Sequence, residues 1–175
     1  MLNFILAQIF GGIALVVVSI SYFLKNKSTF MIFQVITNFF YAMAFLVVSE
    51  YVGAIITIIS IFRCLYIYIA EKKQFKYKLH FLPIFVAMYI VVTIVFYTNT
   101  FDIMALCSST LFTIAYVITN LQTMRYVLLI PNSILVAYNI LTTTYASAVL
   151  DFLEVVVILV AILKFYYQNK QKNNV

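Results

Sequence analysis

Arg63 stands about eleven residues into one apolar stretch of this chain, and Asp151 and Glu154 stand one helical turn apart inside another. At 1.5 Å of rise per residue, Arg63 would lie about 16 Å from the outer end of its helix, near mid-membrane. A guanidinium there can hold an anion or a polar solute, and two carboxyls can balance its charge or carry protons. Leaving an arginine unpaired in hydrocarbon costs between about 3 and more than 10 kcal/mol. Two arrangements answer that cost. Arg63 and Glu154 can form a structural ion pair between helices. Alternatively, Arg63 faces a central pocket and binds an anionic or polar solute, with Asp151 and Glu154 as counter-ions or proton carriers. Asp102 falls within a turn of the start of its stretch and reads as solvated.

Neutral polar residues follow helical spacing around these charges. Gln8, Gly12, Ser19 and Tyr22 recur along one face, and Gln34, Thr37, Asn38 and Tyr41 stand at i, i+3, i+4 and i+7. Asp102, Ser109, Thr113, Tyr116 and Asn120 repeat the pattern, and Asn132 and Asn139 lie two turns apart. Gly11 and Gly12 permit close helix approach, while Pro131 removes a backbone donor. Such stripes either glue helices together, at about 0.6–2 kcal/mol per bond, or line a cavity. The candidates for binding a solute are Gln8, Gln34, Asn38, Arg63, Asn132 and Asn139.

With three glycines and one histidine, the chain has no phosphate-cradling loop, no metal-spaced His or Cys cluster and no Ser-His pairing. No enzymatic reaction and no cofactor are expected. Cys64 and Cys107 fall inside apolar stretches and indicate neither a disulfide nor a metal. His80 opens the fourth stretch, where headgroup contact is its expected role.

The elements that must carry these residues are set by composition. Hydrophobic residues make up 66% of the chain and charged residues 9%, far from the roughly 45–50% and 25% of soluble domains. Lipid must therefore solvate most of the surface. Apolar runs over about 2–24, 30–49, 52–70, 80–97, 101–121, 126–141 and 146–167 predict seven transmembrane helices, each near the ~20 residues needed to cross about 30 Å of hydrocarbon. The sixth is the shortest, and Pro131 is expected to interrupt it. The runs do not alternate with period two, which excludes a β-barrel.

Basic residues occupy alternate gaps: Lys25 and Lys27, then Lys72, Lys73, Lys76 and Lys78, then Arg125, then Lys164, Lys170 and Lys172. The gaps at Glu50-Tyr51, Thr98-Asn99-Thr100 and Thr142-Thr143-Thr144 carry none. Positive charge stays on the cytoplasmic side, so the N-terminus is expected outside and the C-terminus inside. The first run lacks basic residues before it and a small-residue cleavage site after it, and reads as a retained span. No polar segment is long enough for a soluble domain, and no basic stripe suits nucleic acid. The expected partners are the lipid bilayer and a small polar solute; self-association into a homo-oligomer is left open.

Shifting the chain by about 94 residues places Tyr22 on Tyr116, Asn26 on Asn120, Asn38 on Asn132, Tyr51 on Tyr145 and Ala54 on Ala148. Spans one to three thus overlay spans five to seven as parallel repeats, and the fourth returns the chain to the outer face. The expected organisation is all-α: a first triple-helix bundle over 1–70, a loop and linker helix over 71–97, and a second bundle with a tail over 98–175. This 3+1+3 order resembles the SWEET sugar transporters in topology. The proline expected in the first helix of each SWEET bundle is absent.

More specific residues accompany that topology. Leu6-Ala7-Gln8 precede Gly11, Ile13 and Ala14, Gln34 opens span two, and Tyr51 to Ala54 precede the helix bearing Arg63. Tyr138-Asn139 stand near the end of span six, and the final helix ends in Lys164-Phe165-Tyr166. This series resembles the YgjV-type family of bacterial inner membrane proteins across nearly the whole chain. The resemblance implies a fold grouped with SWEET, PQ-loop, nicotinamide-riboside-carrier and KDEL-receptor-like proteins. It carries over Gln8, Arg63 and Asn139 and names no substrate. The expectation is a carrier of a small polar solute, working by alternating access between two bundles. The alternative is a receptor or accessory subunit that binds a ligand or partner without moving it.

Overall fold

A computed structural model describes residues 2–73, 81–97, 100–142 and 144–173. Seven α-helices run through them: α1 (Leu2–Tyr22), α2 (Lys27–Val47), α3 (Tyr51–Lys72), α4 (Leu82–Val95), α5 (Asp102–Val117), α6 (Leu121–Leu141) and α7 (Tyr145–Asn173). Of these, α1, α2, α3 and α6 are long and apolar enough to cross a membrane, while α4 and α5 are shorter apolar helices. Lys76, Lys78, His80, Thr98, Asn99 and Thr143 lie outside the described residues, as do the side chains of Lys170 and Lys172.

Local chemistry sets the helix starts. Asn26 accepts a hydrogen bond from the Ser28 amide at 2.9 Å, and Asn120 accepts from Gln122 and Thr123 at 2.9 and 3.2 Å. Both asparagines satisfy amides that a helix start leaves without partners. Pro83 sits in the first turn of α4, where its missing donor costs nothing. Between α2 and α3, Ser49 adopts φ 63°. The Glu50 amide then bonds the Phe45 carbonyl at 2.9 Å, closing α2 and turning the chain within three residues.

The sixth helix corrects the reading from apolar runs. It is 21 residues long and continues through Pro131, so α4, at 14 residues, and α5, at 16, are the short ones. The Asn120 cap starts α6 before Arg125, a residue that a hydropathy reading places outside the helix. The Pro131 carbonyl accepts a bond from Ser108 Oγ at 2.9 Å, which ties the proline turn to α5 instead of breaking the helix.

The 94-residue offset recurs in these bounds. Lys27–Val47 maps onto Leu121–Leu141, the start of α3 at Tyr51 maps onto that of α7 at Tyr145, and the caps Asn26 and Asn120 correspond. Packing follows the same rule. Helix α2 packs on α1 and α3, and α6 packs on α5 and α7. The two groups meet where α1 touches α7 and where α3 touches α5, and α4 rests against α3 and α5. Tyr22, Phe30, Met31, Cys64, Met124, Leu128 and Ile158 form a core drawn from both groups. The Phe30 ring lies 5.7 Å from that of Tyr22 and 6.1 Å from that of Tyr116, centroid to centroid. Phe39, Phe62, Ile94 and Phe152 point outward, as suits a surface solvated by lipid.

Candidate functional site

The polar face of α2 enters the core directly. Gln34, 3% exposed, donates from Nε2 to Ser21 Oγ at 3.2 Å and accepts from the Tyr116 hydroxyl at 3.1 Å. One amide thereby joins α1, α2 and α5. Asn38 donates from Nδ2 to the Gln34 carbonyl at 2.6 Å, within 4.0 Å of Cys64 Sγ. Thr37 and Tyr41 share this face, yet among the described residues neither hydroxyl has a partner, although both oxygens are sealed from solvent.

Arg63 and Glu154 do not form the ion pair that sequence depth suggested. Arg63 Nη1 donates to Thr113 Oγ1 at 2.9 Å and to the Ser109 carbonyl at 3.2 Å, both on α5. Its guanidinium lies 5.0 Å from the Tyr116 ring centroid and 5.7 Å from that of Tyr89, so aromatic faces supply part of its solvation. Arg63 Nε is buried without a hydrogen-bond partner among the described residues. Beside it, a crevice of about 10 Å³ between Tyr66, Phe81, Phe85 and Thr113 has room for one water and not for a solute.

Glu154, 8% exposed, instead accepts a 2.6 Å bond from the Tyr22 hydroxyl, across α1 and α7. Asp151 accepts a 2.6 Å bond from Asn139 Nδ2 on α6. Packing explains the separation: α3 leans on α5 while α7 leans on α1, which puts the arginine and the carboxyls on different helix seams. The Tyr22, Phe30 and Tyr116 rings lie between the two sets of contacts. The polar contacts thus tie Arg63 to α5, Glu154 to α1 and Asp151 to α6, while Gln34 bridges α1 and α5.

Asn132 spends its amide donor on the Leu128 carbonyl of its own helix, at 2.7 Å. Gln8 is exposed near the start of α1 and stands apart from these networks. Asp102 is part-buried and accepts a long 3.5 Å bond from Tyr138.

Sequence reasoning missed several members. Tyr89 is 1% exposed, the one buried residue of the largely apolar α4, and its hydroxyl shares a 2.9 Å bond with Ser60. A lone tyrosine hydroxyl among aliphatic residues was the available signal. Ser21 beside Tyr22 was another. Basic residues also reach across the two helix groups at the end where α1 and α5 finish. Lys27 pairs with Glu71 at 2.6 Å and reaches the Val117 carbonyl of α5 at 3.5 Å. Arg125 donates to the Leu24 carbonyl after α1 at 2.6 Å and lies 4.2 Å from the Phe165 ring centroid. Each cation thus meets the carbonyl end of a helix in the opposite group, where the helix dipole favours positive charge.

Neither the curated proteins nor the solved structures yield a match to this chain. The model of one family, described as bacterial inner membrane protein, does match, over residues 5–169. That span takes in the start of every helix after α1 and every polar contact described above, and the chain belongs to the Imp-YgjV family of bacterial inner membrane proteins.

Proposed function

We propose that this protein is a carrier of a small polar solute, in which α1–α3 and α5–α7 form two parallel triple-helix bundles joined by α4. The arrangement is SWEET-like in topology, with the N-terminus outside, the C-terminus in the cytoplasm, and the bundles rocking to alternate access. The observation that carries this reading is that Arg63 and Glu154, both buried, are left unpaired with each other. A purely structural interior would be expected to bring such charges together, because isolated buried charges are expensive. Here each is held by neutral donors or acceptors that a solute's hydroxyl, amide or charged group can replace.

In this reading the conformer is a closed one. Lys27 and Arg125 bridge the bundles at the cytoplasmic end, and the crevice beside Arg63 is too small for cargo. Gln34, Asn38, Arg63 and Asn139 would bind the solute when the bundles part, and Asp151 or Glu154 would set charge. No catalysis is assigned.

A second reading has its own support. Gln34, Tyr116 and Ser21 satisfy one another, as they would in a receptor or accessory subunit whose polar core is structural. A thermal-shift screen of the purified protein against pooled sugars, amino acids, nucleosides, vitamins and carboxylates tests for a solute site, and uptake of a hit into proteoliposomes separates a carrier from a receptor. A ligand at 100 times its dissociation constant adds about 2.7 kcal/mol to the folded state. Transport predicts a hit that Arg63→Gln or Asn139→Ala abolishes. A screen with no hit, followed by co-purification of a partner protein, would favour the second reading.

A further inference from the structure

Arg63 is 3% exposed, and both of its hydrogen bonds to α5 leave from Nη1. They end on neutral acceptors, the Thr113 hydroxyl and the Ser109 carbonyl. Among the described residues the buried Nε has no hydrogen-bond partner, and no carboxylate meets this side chain. Residues 74–80, which precede α4, include no Asp or Glu. The rings of Tyr89 and Tyr116 ease the burial of the charge but bring no anion to it. A buried cation is thus left with an unused donor and no counter-charge, an expensive state.

A second and independent observation comes from the start of α4. Phe81, Leu82 and Phe85, around its first turn, line the same crevice of about 10 Å³ that Arg63 lines from α3 and Thr113 from α5. No side chain caps this helix start. The free amides there carry partial positive charge, which favours an anion. Tyr66, one turn after Arg63, adds a residue with a hydroxyl donor to the lining. The crevice therefore combines a buried guanidinium with a helix N-terminus, and no acidic group lines it.

We propose that this crevice, between Arg63 and the start of α4, binds a small monovalent anion of the halide class. Its room, about that of one water, suits a single-atom ion and excludes phosphate or sulfate. Its largely apolar walls suit chloride or bromide, which shed water more readily than fluoride. The inference goes beyond the carrier reading, because the crevice is closed to cargo. On that reading the anion balances Arg63 while the bundles are closed, and the solute takes over the contact when they part.

Thermal unfolding of the full chain in detergent tests the site without any transport assay. The buffer salt is sodium gluconate, replaced at constant ionic strength by sodium chloride or sodium bromide. The expected result is a rise in the unfolding midpoint that saturates with chloride or bromide. Half-saturation should move at least tenfold higher in Arg63→Gln. Should that variant fail to fold, Val117→Phe decides: it keeps Arg63 but fills the crevice, and the halide response should be lost. Midpoints equal to those in gluconate, or a response unmoved in the variants that fold, would overturn the site and leave the crevice to water. A polar solute that binds and is transported alongside such a result would leave the carrier reading standing.

Discussion

The Tyr22 hydroxyl donates to Glu154 at 2.6 Å, joining α1 to α7 across a sequence separation of 132 residues. Both residues are buried, so the bond is made without competition from water. Removing the donor leaves the carboxyl short of a partner, which costs more than the bond's net worth. Tyr22→Phe is expected to lower stability by about 1–2 kcal/mol, within the upper range for bonds inside helical membrane proteins. In a Glu154→Gln background the same change should cost measurably less, as a double-mutant cycle in unfolding midpoints would show.

Arg63 and Glu154, by contrast, should behave as strangers. Their polar contacts lie on different seams, α3 with α5 and α1 with α7. The losses from Arg63→Ala and Glu154→Ala are expected to add to within about 0.5 kcal/mol. Unfolding of the two single variants and the double variant checks this. A coupling beyond about 1 kcal/mol would mean that the charges meet.

The two asparagine caps make a comparison between equivalent positions. Asn26 and Asn120 each satisfy amides at the start of a helix. Replacing either with alanine is expected to cost about 1 kcal/mol. Asn120→Ala should cost the more, because Asn120 accepts two bonds where Asn26 accepts one. Chemical unfolding of the two variants side by side gives the order.

The topology has a simple check. Lys72, Lys73 and Lys164 all fall at the end of the bundle where Lys27 and Arg125 cross between groups. In the topology we propose, the positive-inside rule has that end in the cytoplasm. A reporter fused to the C-terminus should read as cytoplasmic; a periplasmic signal would invert the arrangement.

Part of the helix pattern was legible from the sequence. A gapless 94-residue shift aligned Asn26 with Asn120 and Tyr51 with Tyr145, and the starts of α2 and α6 and of α3 and α7 follow that register, whereas α1 and α5 do not. Hydropathy misplaced α6, since Arg125 interrupts the apolar run but not the helix: its guanidinium reaches the Leu24 carbonyl. The polar face of α2 was visible from spacing alone, and Gln34 does join three helices. The pairing of Arg63 with Glu154 was not legible. Sequence gives depth along a helix, while lateral neighbours depend on which helices touch. Thr113 and Tyr22 claim the two residues first, and only packing reveals this. Tyr89 was overlooked because α4 is otherwise a nearly unbroken apolar run that gives no polar spacing to read.

In the carrier we propose, an interior that holds Arg63 apart from Glu154 serves a moving solute. Uptake into proteoliposomes tests it most directly, using the compound that most raises the protein's unfolding midpoint. Saturable uptake by the wild-type protein is expected, reduced at least tenfold by Arg63→Gln in a variant that still folds. Tight binding of that compound without uptake by the wild-type protein would rule out a carrier and make the molecule a receptor.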